Sequence, residues 1–399
     1  MDRGKQPNGA YSYLLMIAHI CCDMDQFVVP ALLPFLVDQR GFDYASAAGL
    51  VFAASFSSSL IQPLLGMVAD KRQMPWMMGL GVLLSGAGIA AIGFVSSYWA
   101  VFVMVIIAGI GAAVFHPEGA RMANCVAGEN IGRAMSIFAT GGNLGLVLGP
   151  LIAVFAVTTW GFKGTAIVLV PTVIIVPVLF GLQKKFLSLS AVSRRGGDTA
   201  KAAGGKRDDW PAFLRLCAPI FARSIVQNGI NTFLPLYWVG VLLQTQQRGS
   251  LMLTVIAVLS AVAAFTGGRL ADRFGFRRVI RAAFVMISPL MVLMLLTRNV
   301  WLATVVVIPL ALALHLPHSP SIVLGQKYLP NRLGLASGVT LGLTVSMGGL
   351  FSPLLGKVGD NFGLATVMYV TAGVALIGFV GTLFLKEPAV SVNNDRDPD

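Results

Sequence analysis

Charge is scarce in this chain. Of 399 residues only 12% are Asp, Glu, Lys or Arg, and 17 are acids, against 56% that are apolar. That balance excludes a soluble two-domain enzyme, whose surface would need more polar cover. Cysteine is scarce as well: Cys21, Cys22, Cys125 and Cys217 all lie in or beside apolar segments, and none forms a C-x-x-C pair. A disulfide framework and a zinc site are therefore not indicated. No Ser-His or Cys-His spacing stands above chance, which leaves an intramembrane enzyme without a visible nucleophile. Gly109-Ile110-Gly111 begins like a dinucleotide loop, but no strand precedes it, so no nucleotide cofactor is expected. A small-residue cleavage site is missing after the first apolar run, which carries His19, Asp23 and Asp25. That run is expected to remain as the first span.

What the chain does have is long apolar runs. Crossing the hydrocarbon takes about 20 apolar residues in a helix, and twelve such runs are present, over 11–36, 46–68, 75–94, 99–122, 133–157, 164–183, 211–240, 250–270, 279–297, 300–324, 333–357 and 364–385. The reading is an all-α membrane protein with twelve transmembrane helices in two six-helix bundles. Residues 1–183 form the first bundle, 184–209 a flexible linker without hydrophobic periodicity, and 210–399 the second bundle with a short tail. The net charge of +12 is spread by loop instead of along one face, so it marks topology and not a nucleic-acid surface. The linker and the loops on its side hold most of the bases, among them Lys71, Arg72, Arg133, Arg273, Arg277, Arg278 and Lys327, against Arg40, Lys163, Arg248, Arg298 and Lys357 opposite. Both termini are expected in the cytoplasm.

The two halves repeat one another. Gly66-Met67-Val68-Ala69-Asp70-Lys71-Arg72 returns as Gly268-Arg269-Leu270-Ala271-Asp272-Arg273, His116 answers His318, and Gly149-Pro150 is matched by Ser352-Pro353. A glycine, an acid and a base in a tight turn let helix ends approach, cap a neighbouring N-terminus and keep positive charge on one side. Two parallel repeats with a substrate between them near mid-depth are what an alternating-access transporter needs. The doubled G-x-x-x-D-[KR] turn resembles the loop signature of the Major Facilitator Superfamily of secondary transporters.

Ionisable side chains at mid-bilayer cost about 2.5–3.5 kcal/mol on insertion scales, so each needs a partner, a wet cavity or a task. In the first span His19, Asp23 and Gln26 fall at i, i+4 and i+7 on one face, expected to line the cavity, while Asp25 points away. A carboxyl in a low-dielectric cleft suits reversible protonation. Asp23 is read either as the proton-coupling acid or as a permanently paired structural one, with Asp25 and Glu118 as further candidates for the proton. In the seventh span Arg223, Gln227 and Asn231 share a face. Arg223 either meets an anionic substrate group through its planar fork or pairs with an acid. The substrate-binding set is His19, Asp23, Gln26, Arg223, Gln227, Asn231 and His315. In the fourth span His116, Glu118 and Arg121 are read as an inner-gate network with Asp70, mirrored by Asp272 and Arg273, or as direct proton handlers. His315 and His318 bracket Pro317 and are read as buried hydrogen-bonded histidines or as a cavity contact. His19, Asp23, His116 and Glu118 could together hold a metal, but their helix positions suggest different depths, so none is expected.

The string Phe115-His116-Pro117-Glu118 with Arg121, together with His19-x-x-x-Asp23, Gln62-Pro63, Met74-Pro75-Trp76, Ser136-Ile137-Phe138 and Gly141-Gly142-Asn143, resembles the fosmidomycin-resistance family of proton-coupled exporters. The glycine-rich run Gly141–Pro150 is similar to the motif of antiporters in the superfamily, though close helix packing explains it equally well. This resemblance implies efflux of small drugs, phosphonate-like compounds among them, in exchange for protons, by a monomer in a bacterial cytoplasmic (inner) membrane. Proton-symport uptake of an organic anion is the rival. A non-transporting sensor would need a larger output domain than the linker and tail supply.

Overall fold

The computed structural model describes residues 9–71, 73–127, 131–195, 208–332, 335–336, 339–340 and 344–387; the side chains of 60, 63, 66–71, 131–132, 190–195 and 344–346 lie outside that description. Among the described residues there is no strand, and helices follow one another through short turns. The first half holds α1 (Gly9–Arg40), α2 (Tyr44–Lys71), α3 (Trp76–Ala91), α4 (Tyr98–Val126), α5 (Ile131–Trp160) and α6 (Leu169–Gly181). After α7 (Gln183–Arg195) the second half holds α8 (Trp210–Gly240), α9 (Gln246–Phe274), α10 (Phe276–Leu296), α11 (Val300–His315), α12 (His318–Tyr328), α13 (Thr344–Phe362) and α14 (Leu364–Leu383). With α11 and α12 together forming the tenth span, this is the two-bundle, twelve-span architecture. Eight of the described helical stretches are long and apolar enough to cross a membrane by length and composition, and one of these, Arg133–Gly181, spans most of α5 and all of α6.

Two details depart from the hydropathy reading. The segment after residue 183, read as structureless, opens with α7, whose Phe186 is fully buried and meets the Tyr11 ring edge-on at 5.7 Å. Phe186 and Leu189, three apart, both reach the first bundle's core, and a two-residue apolar stripe on so polar a helix is too short to register as periodicity. The tenth span is broken at Leu316–Pro317. Proline at 317 cannot donate to the preceding turn, so the helix restarts there with His315 and His318 on either side of the break.

Small residues set how closely helices approach. Gly141, Gly145 and Gly149 recur every four residues along the face of α5 that presses on α1. A methyl on Gly145 would stand 2.8 Å from the Ile20 carbonyl, and one on Gly141 or Gly149 would collide with the carbonyls of Met16 or Met24. Without side chains in the way the two backbones touch, which is how apolar helices gain packing energy in lipid. The glycine-rich run thus has a packing role in plain view.

The halves meet along two seams, α2 with α13 and α5 with α9, and α1 also touches α8 and α9. The seams are exchanged by the repeat, since α2 corresponds to α9 and α5 to α13. Asp360 on α13 accepts hydrogen bonds from the backbone N–H groups of Tyr44 (2.8 Å) and Ala45 (3.0 Å), capping the start of α2 from the other half. Gln246 donates to Asp38 at 2.6 Å and Ser250 to the Ala31 carbonyl at 2.7 Å. These bonds all lie toward the end away from residue 9 and α7, so the halves are tied together at that end.

Candidate functional site

Asp23 sits between two histidines. Its Oδ2 is 3.1 Å from His19 Nε2, one turn back on α1, and its Oδ1 is 2.8 Å from His116 Nε2 on α4. Gln26 donates to Oδ1 at 3.0 Å. Each imidazole is anchored on its other edge: His19 Nδ1 donates to the Phe138 carbonyl at 2.8 Å, and His116 Nδ1 to the Ala112 carbonyl at 2.7 Å. The Phe138 ring also stacks on His19, with centroids 4.1 Å apart and planes at 21°. Gly142, one turn after Phe138, closes the cluster from α5. A methyl there would lie 2.7 Å from Asp23 Oδ2 and 2.8 Å from His19 Cε1.

The expected face of His19, Asp23 and Gln26 is therefore found, and His116 joins it. His116 turns toward α1, while Glu118 and Arg121 turn to each other; the Asp70 side chain, expected in a gate network with all three, lies outside the described residues. Arg121 Nε donates to Glu118 Oε2 at 2.8 Å, and Nη2 donates to Oε1, so the fork grips both oxygens of a fully buried carboxylate. The depth argument against gathering these residues also fails for three of them. His19, Asp23 and His116 offer ligand atoms all within 4.8 Å of one another and could surround a metal ion. As placed, each histidine is closed onto its own carboxylate oxygen at hydrogen-bond distance, and Glu118 is committed to Arg121.

Asp25 lies on the other side of α1, 1% exposed, and neither oxygen has a hydrogen-bond partner among the described residues. It is packed in the first bundle and does not join the Asp23 cluster.

In the second half Arg223 is 3% exposed. Its Nη1 donates to Gln227 Oε1 at 2.9 Å, Nη2 lies 3.4 Å from His318 Nδ1, and Nε has no partner. No ion pair with a carboxylate is formed among the described residues. The expectation that an acid could hold Arg223 finds none there. His315 Nε2 and Asn231 Oδ1, both buried atoms, are unpartnered as well. Gln26 and His116 in one half, and Gln227, Asn231, His315 and His318 in the other, are partly exposed, with Asp23 and Arg223 buried behind them. His318 as Arg223's neighbour was not singled out by spacing; its repeat partner His116 was the available signal.

The Asp70 side chain lies outside the described residues. Asp272 and Arg273 are exposed at the end of α9 and form no ion pair with each other; the Arg273 guanidinium stands 5.2 Å from the Phe274 ring. A cavity of about 190 Å³ opens beside the start of α1, lined by Gly9, Ser12, Tyr13, Ala127, Arg133, Ala134 and Ile137. It ends at the residue before Phe138, whose carbonyl holds His19.

The family model for the Major Facilitator Superfamily matches residues 15–340 and 216–398, which between them cover nearly the whole chain. The chain belongs to the Major Facilitator Superfamily. It is a multi-pass membrane transporter and not an enzyme. Among curated superfamily members it is similar to the uncharacterized MFS-type transporter YfnC of Bacillus subtilis (strain 168), 30% identical with 93% of this chain and 91% of the relative covered. It is also similar to the fosmidomycin resistance protein of Escherichia coli (strain K12), 28% identical with 94% and 92% covered. The multidrug resistance protein MdtG of Dickeya zeae (strain Ech586) is 22% identical over 91% and 92%. Of solved superfamily structures, a bacterial homolog of the human lysosomal transporter Spinster, inward-facing and occupied, aligns with a TM-score of 0.80 at 15% identity, over 95% of this chain and 97% of that one. The D-xylose-proton symporter aligns with a TM-score of 0.74 at 15% identity, over 96% and 98%. These two bear on the fold alone.

Proposed function

We propose that this transporter exports a small organic compound bearing an anionic group in exchange for protons, and that Asp23 carries the exchanged proton. The observation that supports this reading best is the division of labour between the halves. An acid is bracketed by two proton-accepting rings on one side, and a buried guanidinium on the other has no carboxylate partner among the described residues. A charge placed where the bilayer opposes it is tolerated when it serves a pathway. In alternating access, loading or unloading the Asp23 cluster shifts the balance between two states that differ in how the bundles lean on their seams. Arg223, with Gln227 and Asn231 beside it, receives the anionic end of the substrate through its free N–H groups. The proposed setting is a bacterial cytoplasmic membrane, with both termini and the linker cytoplasmic and the protein acting as a monomer.

The relative named for fosmidomycin resistance makes fosmidomycin the first compound to try. Purified protein in liposomes with an imposed pH gradient should move it against the proton flow, and Asp23→Asn should keep substrate exchange but lose the response to the gradient. Full gradient dependence in Asp23→Asn would remove Asp23 from the role. One observation favours a second reading, uptake of an organic anion with protons: a protonated cluster and Arg223 both add positive charge that an anion would welcome. Movement with the proton flow would select it.

A further inference from the structure

We infer that the Asp23 cluster stores two protons, one in each histidine–carboxylate contact, so that the unit of coupling is a pair. This rests on the reading that the cluster handles protons at all, and asks how many.

The count follows from which atoms can give a hydrogen. A backbone carbonyl has none to give, so the Nδ1 atoms facing the carbonyls of Phe138 and Ala112 must each carry one. With Nδ1 protonated, a neutral imidazole presents only a lone pair at Nε2. Both Nε2 atoms face carboxylate oxygens, and the two use different oxygens, Oδ2 for His19 and Oδ1 for His116. A bare carboxylate has no hydrogen to give either. Each contact therefore closes only when a proton sits in it, on the ring or on the oxygen.

With no added proton, three acceptors crowd within 4.8 Å and the cluster carries the carboxylate's single negative charge. One proton closes one contact and leaves the other as lone pair against lone pair. Two protons close both and bring the net charge to +1. Gln26 donates to Oδ1 in every state and adds nothing to the count.

Among the described residues the surroundings offer no substitute for either proton. On α4, Glu118 and Arg121 satisfy each other. On α5, Gly142 fills the wall with backbone, and Arg133 lies farther along at the small cavity. Asp25 sits on the far side of α1, and Arg223 belongs to the other half, where it binds Gln227. The two contacts are also coupled: they share one carboxylate, so the first proton reduces the negative charge that draws the second, while the second relieves the last acceptor clash.

The chain has four histidines, which makes the test direct. Full-length protein labelled with ¹⁵N-histidine, in lipid nanodiscs and stripped with chelator, is followed by nitrogen NMR across the pH range, with His19 and His116 assigned from His19→Asn and His116→Asn. The expected result is that both neutral rings are Nδ1–H tautomers and that two protons enter the contacts, read from both Nε2 shifts together with the Asp23 carboxyl infrared band, which Asp23→Asn identifies. A neutral Nε2–H tautomer on either ring, or uptake of one proton only, would overturn the pair and leave single-proton coupling standing. No uptake at all would remove proton handling by this cluster along with the pair. Metal retained at one equivalent per chain after chelation would overturn both counts by filling the contacts with an ion.

Discussion

The same repeat has been put to opposite electrostatic uses in the two halves. His116 and His318 are separated by the same interval as the two loop glycines, Gly66 and Gly268, and each histidine reaches the ionic residue on the first helix of its own half. In the first half that residue is an acid whose two oxygens each meet a histidine, the contacts that the proposed protons would close. In the second it is a guanidinium whose Nε, together with His315 Nε2 and Asn231 Oδ1, is left open. A buried polar group without a partner costs about 1–3 kcal/mol, more when charged. The Asp23 cluster thus has a partner for each of its oxygens, whereas the Arg223 cluster keeps an open donor.

The sharpest way to break this contrast is to neutralise the acid. Asp23→Asn should abolish gradient-driven transport while substrate exchange persists, measured in the same liposomes. Next comes Arg223. Arg223→Lys keeps the charge but loses the fork, and substrate affinity should fall by about tenfold or more, the scale of one charge-assisted hydrogen bond. Arg223→Met should abolish binding while costing little thermal stability, since no carboxylate among the described residues is left without its partner. Third, Gly142→Ala forces a methyl against Asp23 and His19. Overpacking of this kind costs about 1–3 kcal/mol, and the effect should appear in proton dependence more than in substrate affinity. The smallest effect is expected at the seam. Asp360→Ala removes the cap on α2 from the opposite half, worth about 0.5–2 kcal/mol. It should raise the labelling of cysteines introduced near Tyr44 several-fold without altering affinity within either bundle.

Much of this was open to reading from the residues. Uninterrupted apolar runs give away the spans because lipid forces the backbone to satisfy itself within each helix. The 3.6-residue period puts His19, Asp23 and Gln26 on one face and Asp25 on another, and the geometry agrees. Glu118 and Arg121, three apart on α4, stand at a spacing that permits the pair the structure shows. What spacing cannot give is the neighbour across the gap. His116 lies 93 residues from Asp23 and His318 lies 95 from Arg223. A helical period says which side a residue takes but not which helix it meets there, and so His116 was grouped with its near neighbours on α4. Helix α7 was missed for a different reason: Phe186 and Leu189 anchor a segment whose overall composition reads as a polar linker.

Phe138 has one further consequence. Its carbonyl holds the His19 ring by the edge while its own ring lies against the face, so the imidazole is clamped in two directions and cannot flip to trade one nitrogen for the other. In the proposed proton exchange His19 then acts through its Nε2 alone. Of the two rings His116 is the less covered, its side chain 20% exposed against 9% for His19. In the proposed proton exchange His116 is therefore the ring nearer the threshold, and it sets the order of entry and exit.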